Sequence, residues 1–387
     1  MDEQTILIEG ECAPAFAAVR QAFEQNFRRR GELGAAVCVY KDGEKVVDLW
    51  GGFKDIEKTQ PWREDTIVIM NSVAKSMSAI CTHILIDRGR IDFDAPVAAY
   101  WPEFAQAGKE NVLVRHVLSH TDGVIFCDAA PPGSWFDWET HIRALEVQEP
   151  AWEPGTRGAY NSINIGFLLG EIVRRVTGRS IGTFLREELS GPLRADYQIG
   201  LTPDEIARVS DMHKNPKNGF FRIAQDTTTP LGRAFKSAPP FGYFQNCREI
   251  REREVPSFGG HGNARAVARI YAALAGDGIV DGVRILSPAA VERAAGLVWE
   301  GDCIMTQRRI RMGYGFMHNE PDTAPMGENL AAFGHTGTGG AFAWCDRARN
   351  MAFAYCPNFQ REGPGIGPRG AAVSVAAGGG PRPRWLD

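Results

Sequence analysis

No run of 18 apolar residues occurs in the sequence, which excludes a transmembrane helix. The first residues, MDEQTILIEGECAPAF, are acidic and lack the basic stretch ahead of an apolar core that marks a secretory signal, so a cytoplasmic location is expected. No Cys-x-x-Cys pair occurs among the eight cysteines, Cys12, Cys38, Cys81, Cys127, Cys247, Cys303, Cys345 and Cys356. Scattered in this way, they are expected to be free, buried thiols. Neither sign of charge dominates: the net charge is −4 and the pI about 6.1, which argues against nucleic acid or an anionic membrane as a partner. Lysine is scarce, nine against 34 arginines, a compositional bias without functional content. No internal repeat is present.

What is present is ordinary globular composition in 387 residues, 44% hydrophobic and 23% charged. That length suits one large domain or two intimately joined ones. Residues 14–30 have the period of an amphipathic helix. Ala35 to Tyr40 and Lys45 to Trp50 are β-rich runs around Lys41-Asp42-Gly43-Glu44, a hairpin signal. Helical periodicity covers Val73 to Arg88, 164–177, 180–189 and Ala264 to Ala275. Residues 95 to about 255 are otherwise irregular and rich in Pro, Gly and Trp. Strands return at Ala341 to Asp346 and Met351 to Cys356, with a turn at Arg347 to Asn350. The tail from Gly363 is expected to be partly disordered, with an apolar stretch suited to a short last helix. The expected fold is therefore α/β (α+β): an antiparallel sheet flanked by helices, with an inserted, mostly helical domain. Residues 1–94 and 256–387 would form the sheet domain, and residues 95–255 the helical domain covering an active-site cleft.

Chemistry enters at Ser72-Val73-Ala74-Lys75, an S-x-x-K motif. At the start of a helix, residues i and i+3 share a face, so Lys75 reaches the hydroxyl of Ser72. The helix N-terminus also favours developing negative charge. Thirteen serines and nine lysines give roughly 0.3 chance matches, so the motif alone is weak. Its surroundings carry more information. Met70, Met77, Ala79, Ile80 and Cys81 mark a buried helix, and a lysine inside one calls for a reason. A free lysine, with a pKa near ~10.4, is no base at neutral pH; desolvation by on the order of 4 kcal/mol makes it one.

Further stretches follow in order. They are Asp92-Phe-Asp-Ala-Pro-Val97, Val114-Arg-His-Val-Leu-Ser-His-Thr-Asp-Gly123, Glu153-Pro-Gly-Thr-Arg-Gly-Ala-Tyr160 with Gly170 to Gly178, Pro256-Ser-Phe-Gly-Gly-His-Gly-Asn-Ala264, and Gly334-His-Thr-Gly-Thr-Gly-Gly340 with Trp344-Cys-Asp346. Together with Ser72 and Lys75 they resemble the serine β-lactamase and penicillin-binding-protein superfamily. Within it the chain looks most like the family VIII carboxylesterases, which share the class C β-lactamase fold. The resemblance spans about Gly34 to Asn358. It implies that Tyr160 relays protons between Lys75, Ser72 and the leaving group. It also implies that the backbone N–H groups of Ser72 and Thr338 form the oxyanion hole.

Two positions depart from the lactamase pattern. Tyr160-Asn161-Ser162 stands where class C enzymes carry Tyr-x-Asn, leaving Asn161 or Asn164 as substitutes for the missing amide. His335-Thr336-Gly337 stands where they carry Lys-Thr-Gly, replacing a fixed cation by a group mostly neutral at pH 7. Both shift the expectation toward neutral esters. His261 either lines the pocket or belongs to the loop structure. Trp135, Phe136, Trp138, Trp152, Phe241 and Tyr243 are expected to line the acyl or alcohol pocket. His116 and His120 are spaced i, i+4 but lack the Glu of H-E-x-x-H, so a structural role is expected and no metal. The glycines at 337, 339 and 340 do not fit a dinucleotide loop.

The resulting expectation is a carboxylesterase for short- to medium-chain esters, with a small-molecule substrate and no cofactor. A β-lactamase or D-amino-acid amidase, an acyltransferase and a non-catalytic scaffold are the alternatives. The last is disfavoured because all three motif positions keep reactive residue types.

Overall fold

The structure, a computed structural model, describes residues 6–362 and 365–386. The N-terminal part supplies β1 (Ile8–Cys12), β2 (Gly34–Lys41) and β3 (Glu44–Gly52). Four short strands follow, β4 (Ile67–Ile69), β5 (Tyr197–Ile199), β6 (Val209–Ser210) and β7 (Gly260–Gly262), and then a small hairpin of β8 (Ile279–Val280) and β9 (Val283–Arg284). The C-terminal part supplies β10 (Leu297–Cys303), β11 (Arg308–Gly313), β12 (Met317–His318), β13 (Phe333–Thr336), β14 (Phe342–Asp346) and β15 (Met351–Pro357). Nine of these form one antiparallel sheet in the order β1-β3-β2-β15-β14-β13-β12-β11-β10. The β4 to β7 strands form a second, mixed sheet in which β4 and β6 run parallel.

The β2–β3 hairpin turns through Asp42 and Gly43, both at positive φ (54° and 82°), the two-residue geometry whose twist matches its flanking strands. In the middle of the large sheet, β2 and β15 are buried on both faces. Their alternation sorts side chains by size. Ala36, Cys38, Ala352, Ala354 and Cys356 share a cluster with the alanine-rich helix Ala264–Ala275, so that helix lies close against the sheet. Val37, Val39, Phe353 and Tyr355 face the opposite way, into a cluster with Val19, Phe23 and Val373 of the helices Ala17–Arg29 and Gly367–Gly378. Each large apolar side chain fully buried there contributes about 1.5–3 kcal/mol. All eight cysteines are free; Cys12 and Cys247 are half-buried and the others buried. At Cys38, Cys345 and Cys356 the thiol serves as a small core group.

The helices expected at 164–177 and 264–275 form as Asn164–Thr177 and Ala264–Ala275. The one expected at 180–189 starts at Ile181 and closes as a π turn, Arg186–Ser190. The tail departs from expectation. Gly363 and Pro364 lie outside the described residues, but Gly367–Gly378 is a helix with Ala371 and Val373 fully buried. It has a sheet face to cover. Arg369 enters with it and pairs with the buried Glu32 at 2.7 Å, and the Trp344 indole N–H donates to Ser374 Oγ at 2.8 Å. Strands β1 and β10 to β12 have no counterpart among the sequence expectations, whereas β13 overlaps the strand expected at His335 to Gly340.

Candidate active site

The buried strand β4 leads into Asn71, which adopts a left-handed backbone (φ 49°), and then into Ser72 at the N-terminus of the helix Val73–Asp87. Such a conformation outside glycine is uncommon and clusters at functional positions. An ordinary N-terminal serine would cap the helix with its hydroxyl; Ser72 makes no such bond. Its Oγ instead accepts a hydrogen bond from Lys75 Nζ at 3.1 Å. The helix is buried through its length to Leu85, and Lys75 is fully inaccessible. Nζ also donates to the backbone carbonyl of Ser257 at 2.8 Å. No carboxylate pairs with it among the described residues. Burial alone drives its pKa well below the ordinary 10.5, so the amine is available in its neutral, basic form.

Tyr160 completes the cluster. Its phenol and the Ser72 hydroxyl border the same space, and its ring lies 5.1 Å from Lys75 Nζ. Burial raises the phenol's pKa, with the nearby Ser72 hydroxyl opposing, so the phenol stays protonated. Two imidazoles flank the ring. His120 stacks on it at 5.4 Å between centroids and 18° between planes, and His335 lies at 6.0 Å and 43°. Nδ1 of His335 donates to the Thr336 carbonyl (2.8 Å), and Nδ1 of His120 accepts from the Asn161 backbone N–H (2.9 Å). Burial pushes His335 down to about 3 and His120 well down, and Lys75 acts in the same direction whenever it is protonated. Both rings are therefore neutral. They wedge Tyr160 in place without adding charge.

Strand β13 borders the same space. A cavity of about 400 Å³ is lined by Ser72, Tyr160, Ser162, Thr336, Gly337 and Thr338, so these six residues named from the sequence meet around one volume. Gly337 must be glycine there, because a Cβ would come within 2.4 Å of the Met70 carbonyl oxygen. His335 is behind the lining, against Tyr160. Asn161 and His261 do not line the cavity. The Asn161 amide donates to the Val124 carbonyl, and its oxygen accepts from the Asn164 N–H at the start of the helix Asn164–Thr177. Asn164 is occupied likewise, with the Val124 and Phe126 carbonyls. His261 is a buried residue of β7 with Nδ1 bonded to the Gly259 carbonyl.

The expected aromatic lining is also corrected. None of Trp135, Phe136, Trp138, Trp152, Phe241 and Tyr243 borders the cavity. Trp135 is core, packed edge-on to Phe235, Phe244 and Phe258, and Trp138 bonds the buried Glu171. The wall is made instead by Phe220, Phe221, Phe235, Phe244 and Phe258. Other participants went unread in the sequence. Ser257 receives Lys75, and its hydroxyl donates to the Ile163 carbonyl while accepting from the Gly166 N–H. Gln245 donates to Asn71, and Arg308 and Arg361 enter the cavity. One segment, Gly178-Arg179-Ser180-Ile181-Gly182, matches the G-x-S-x-G pattern of a nucleophile elbow in letters only. Ser180 caps its helix by accepting from Thr183 N, and its hydroxyl donates to Glu254.

Comparison with known proteins places the chain in a family. The family model described as Beta-lactamase matches residues 19–377. The Esterase/beta-lactamase LipL of Mycobacterium tuberculosis is 33% identical over 361 residues, covering 90% of this chain and 82% of that one. The crystal structure of a family VIII carboxylesterase superposes with a TM-score of 0.88 at 36% identity, covering 96% of this chain and 99% of the other. A penicillin-binding protein homologue from Caulobacter crescentus superposes with a TM-score of 0.87 at 38% identity, over the same shares.

Proposed function

Because this chain belongs to the beta-lactamase family and is a serine hydrolase of it, we propose that it is a carboxylesterase working through a Ser72 acyl-enzyme. The observation that carries this reading is the contact between Ser72 Oγ and a fully buried lysine that has no carboxylate partner among the described residues. A neutral amine 3.1 Å from the hydroxyl takes its proton as Oγ attacks the ester carbonyl. The oxyanion forms against the backbone N–H groups of Ser72 and Thr338, each worth a few kcal/mol to the transition state. Collapse breaks the C–O bond, and Tyr160, protonated and beside Ser72, passes a proton to the departing alkoxide. Lys75, now an ammonium, returns its proton to the phenol. Water then attacks the acyl-enzyme with the same groups as base, releasing the acid and restoring Ser72.

The cavity supports short- to medium-chain acyl groups, since its phenylalanine wall bounds a volume of about 400 Å³. In this reading residues 95–255 form a cover over the sheet-bearing remainder of the chain. The double name of the Mycobacterium tuberculosis relative keeps β-lactam hydrolysis as the second reading. One assay separates them: 4-nitrophenyl acetate, 4-nitrophenyl octanoate and a chromogenic cephalosporin, each with wild-type protein and Ser72→Ala. Ester turnover lost in the variant supports the esterase; cephalosporin turnover above ester turnover overturns it.

A further inference from the structure

We propose that Arg308 is a positioning residue of the Tyr160 proton relay: its fixed positive charge stabilises the phenolate left behind when Tyr160 gives its proton to the departing alcohol. This rests on the Ser72 acyl-enzyme reading above and adds a residue to it.

Strand β11 begins Arg308-Arg309-Ile310-Arg311-Met312. Side chains on a strand alternate between its faces. Arg308 therefore points the same way as Ile310 and Met312, which are buried, while Arg309 and Arg311 point the other way. The outward pair has its carboxylate: Arg309 and Arg311 both bridge Glu300, at 2.9 and 3.0 Å. Arg308 stands where the alternation calls for an apolar residue. It makes no ion pair among the described residues, and its buried Nε has no hydrogen-bond partner. A cation in such a place costs stability, so its presence calls for a reason.

The reason lies beside it. Arg308 is opposite Cys303 in the β10–β11 ladder, and Cys303 Sγ accepts the backbone N–H of Tyr160 at 3.2 Å. A second tie holds β10 to the same region. The Trp299 indole N–H donates to the Ser119 carbonyl at 2.8 Å, and a Cβ on Gly158 would come within 2.2 Å of the Trp299 ring. Ser119 precedes His120, whose ring stacks on Tyr160. The β10–β11 pair is thus fixed against Tyr160 at two points, and Arg308 and Tyr160 border one cavity.

Five titratable side chains gather around the Tyr160 ring: Lys75, His120, Cys303, Arg308 and His335. Both imidazoles are neutral, and Lys75 alternates between amine and ammonium as the reaction proceeds. Arg308 keeps its charge throughout. Burial, the largest influence, raises the phenol's pKa, and the Arg308 charge opposes it. The influence is mutual: burial works against the guanidinium charge, and an ionised Tyr160 favours it. In the relay the phenol O–H bond breaks and an O–H bond forms on the alkoxide. The electron pair stays on the phenol oxygen until the Lys75 ammonium returns a proton. A fixed cation close by makes the phenol a better proton donor.

Esters of one acid with three alcohols test this. Ethyl, 2,2,2-trifluoroethyl and 4-nitrophenyl butanoate share an acyl group, and their leaving groups need a proton in that falling order. Arg308→Gln should lower kcat/KM by about 30-fold for the ethyl ester, about tenfold for the trifluoroethyl ester and about threefold for the 4-nitrophenyl ester. Arg308→Lys should bring the ethyl ester back to within about threefold of wild type. In a Tyr160→Phe background no phenolate forms, so the glutamine substitution should change the trifluoroethyl and 4-nitrophenyl esters by one common factor. Equal losses on all three esters, or no loss, overturn the proposal. So does a lysine variant no better than the glutamine one, or a leaving-group effect that persists without the phenol. Arg308→Met serves the same comparison if the glutamine variant does not fold. Turnover lost in Ser72→Ala reports separately on the esterase reading. If the wild type hydrolyses none of the three, that reading fails and this proposal with it; ester turnover whose leaving-group dependence ignores Arg308 sinks this proposal alone.

Discussion

Nζ of Lys75 sits 3.1 Å from Oγ of Ser72, with the Ser257 carbonyl 2.8 Å away as its other acceptor. The lysine is thus held by one backbone carbonyl and one hydroxyl, in a place where no carboxylate of the described residues meets its charged form. The stability and the chemistry of the site both follow from that placement.

Ser72→Ala should lower kcat for 4-nitrophenyl esters by at least about 10³-fold, since no other nucleophile borders the cavity beside a base. Its melting temperature should stay within about 4 °C of wild type, as the hydroxyl does not cap its helix. Residual turnover near the wild-type rate would move the nucleophile elsewhere.

Lys75→Met should abolish ester turnover and change the pH dependence of stability. The folded pKa of Lys75 lies well below the unfolded 10.5. Between the two values the unfolded chain holds a proton that the folded chain does not, so wild-type stability rises with pH across that window. The methionine variant has no such gain. Its stability relative to wild type should therefore decline as pH rises toward 10.5 in urea titrations. A difference independent of pH would mean that Lys75 is charged in the folded protein.

Tyr160→Phe should reduce kcat by about 10²–10⁴-fold with a smaller change in KM, the signature of a lost proton transfer. The ring's stacking against His120 and His335 is kept, so the fold should persist. Near-normal kcat would remove the phenol from the relay.

Arg369→Ala should destabilise the protein by about 3 kcal/mol at pH 7.5, because Glu32 would remain buried without its cation. Burial already raises the Glu32 pKa above the ordinary 4.5, and losing Arg369 raises it further. The unfolded chain then loses its proton first, so the variant's stability falls as pH rises above 4.5. The penalty should accordingly be smaller at pH 5 than at pH 7.5; an equal penalty at both would show that Glu32 is not the cause.

Much of this was legible in the residues. Asp42-Gly43 marks its turn because few other pairs accept positive φ twice, and the helices Asn164–Thr177 and Ala264–Ala275 announce themselves by period and by flanking caps. Ser72 and Lys75 are legible by type and spacing, Tyr160 only through the family resemblance, and the structure brings the three together. The pocket wall was not. Aromatic identity says that a side chain will be covered, but not by what: Trp135 packs behind the wall that Phe235, Phe244 and Phe258 form. Arg308 is lost among 34 arginines, and nothing in its sequence neighbourhood says that it enters the cavity. Asn161 and Asn164 carry the right chemistry for substrate contact but spend it on the backbone of Val124 and Phe126. The tail's glycines and prolines mask a helix whose reason to form is a sheet face more than 300 residues earlier in the chain, at Val37 and Val39.

Strand β2 pairs along its whole length with β15, Tyr40 opposite Ala352 and Ala36 opposite Cys356. During synthesis this seam cannot close until nearly the entire chain has left the ribosome. Until then the β2–β3 hairpin presents an unpaired, apolar edge, and the helix behind Ser72 has no finished floor. Contacts so distant in sequence make for slow folding. A chain truncated before Met351 should thus not be a weakened hydrolase but a sticky one, drawn to chaperones or to copies of itself.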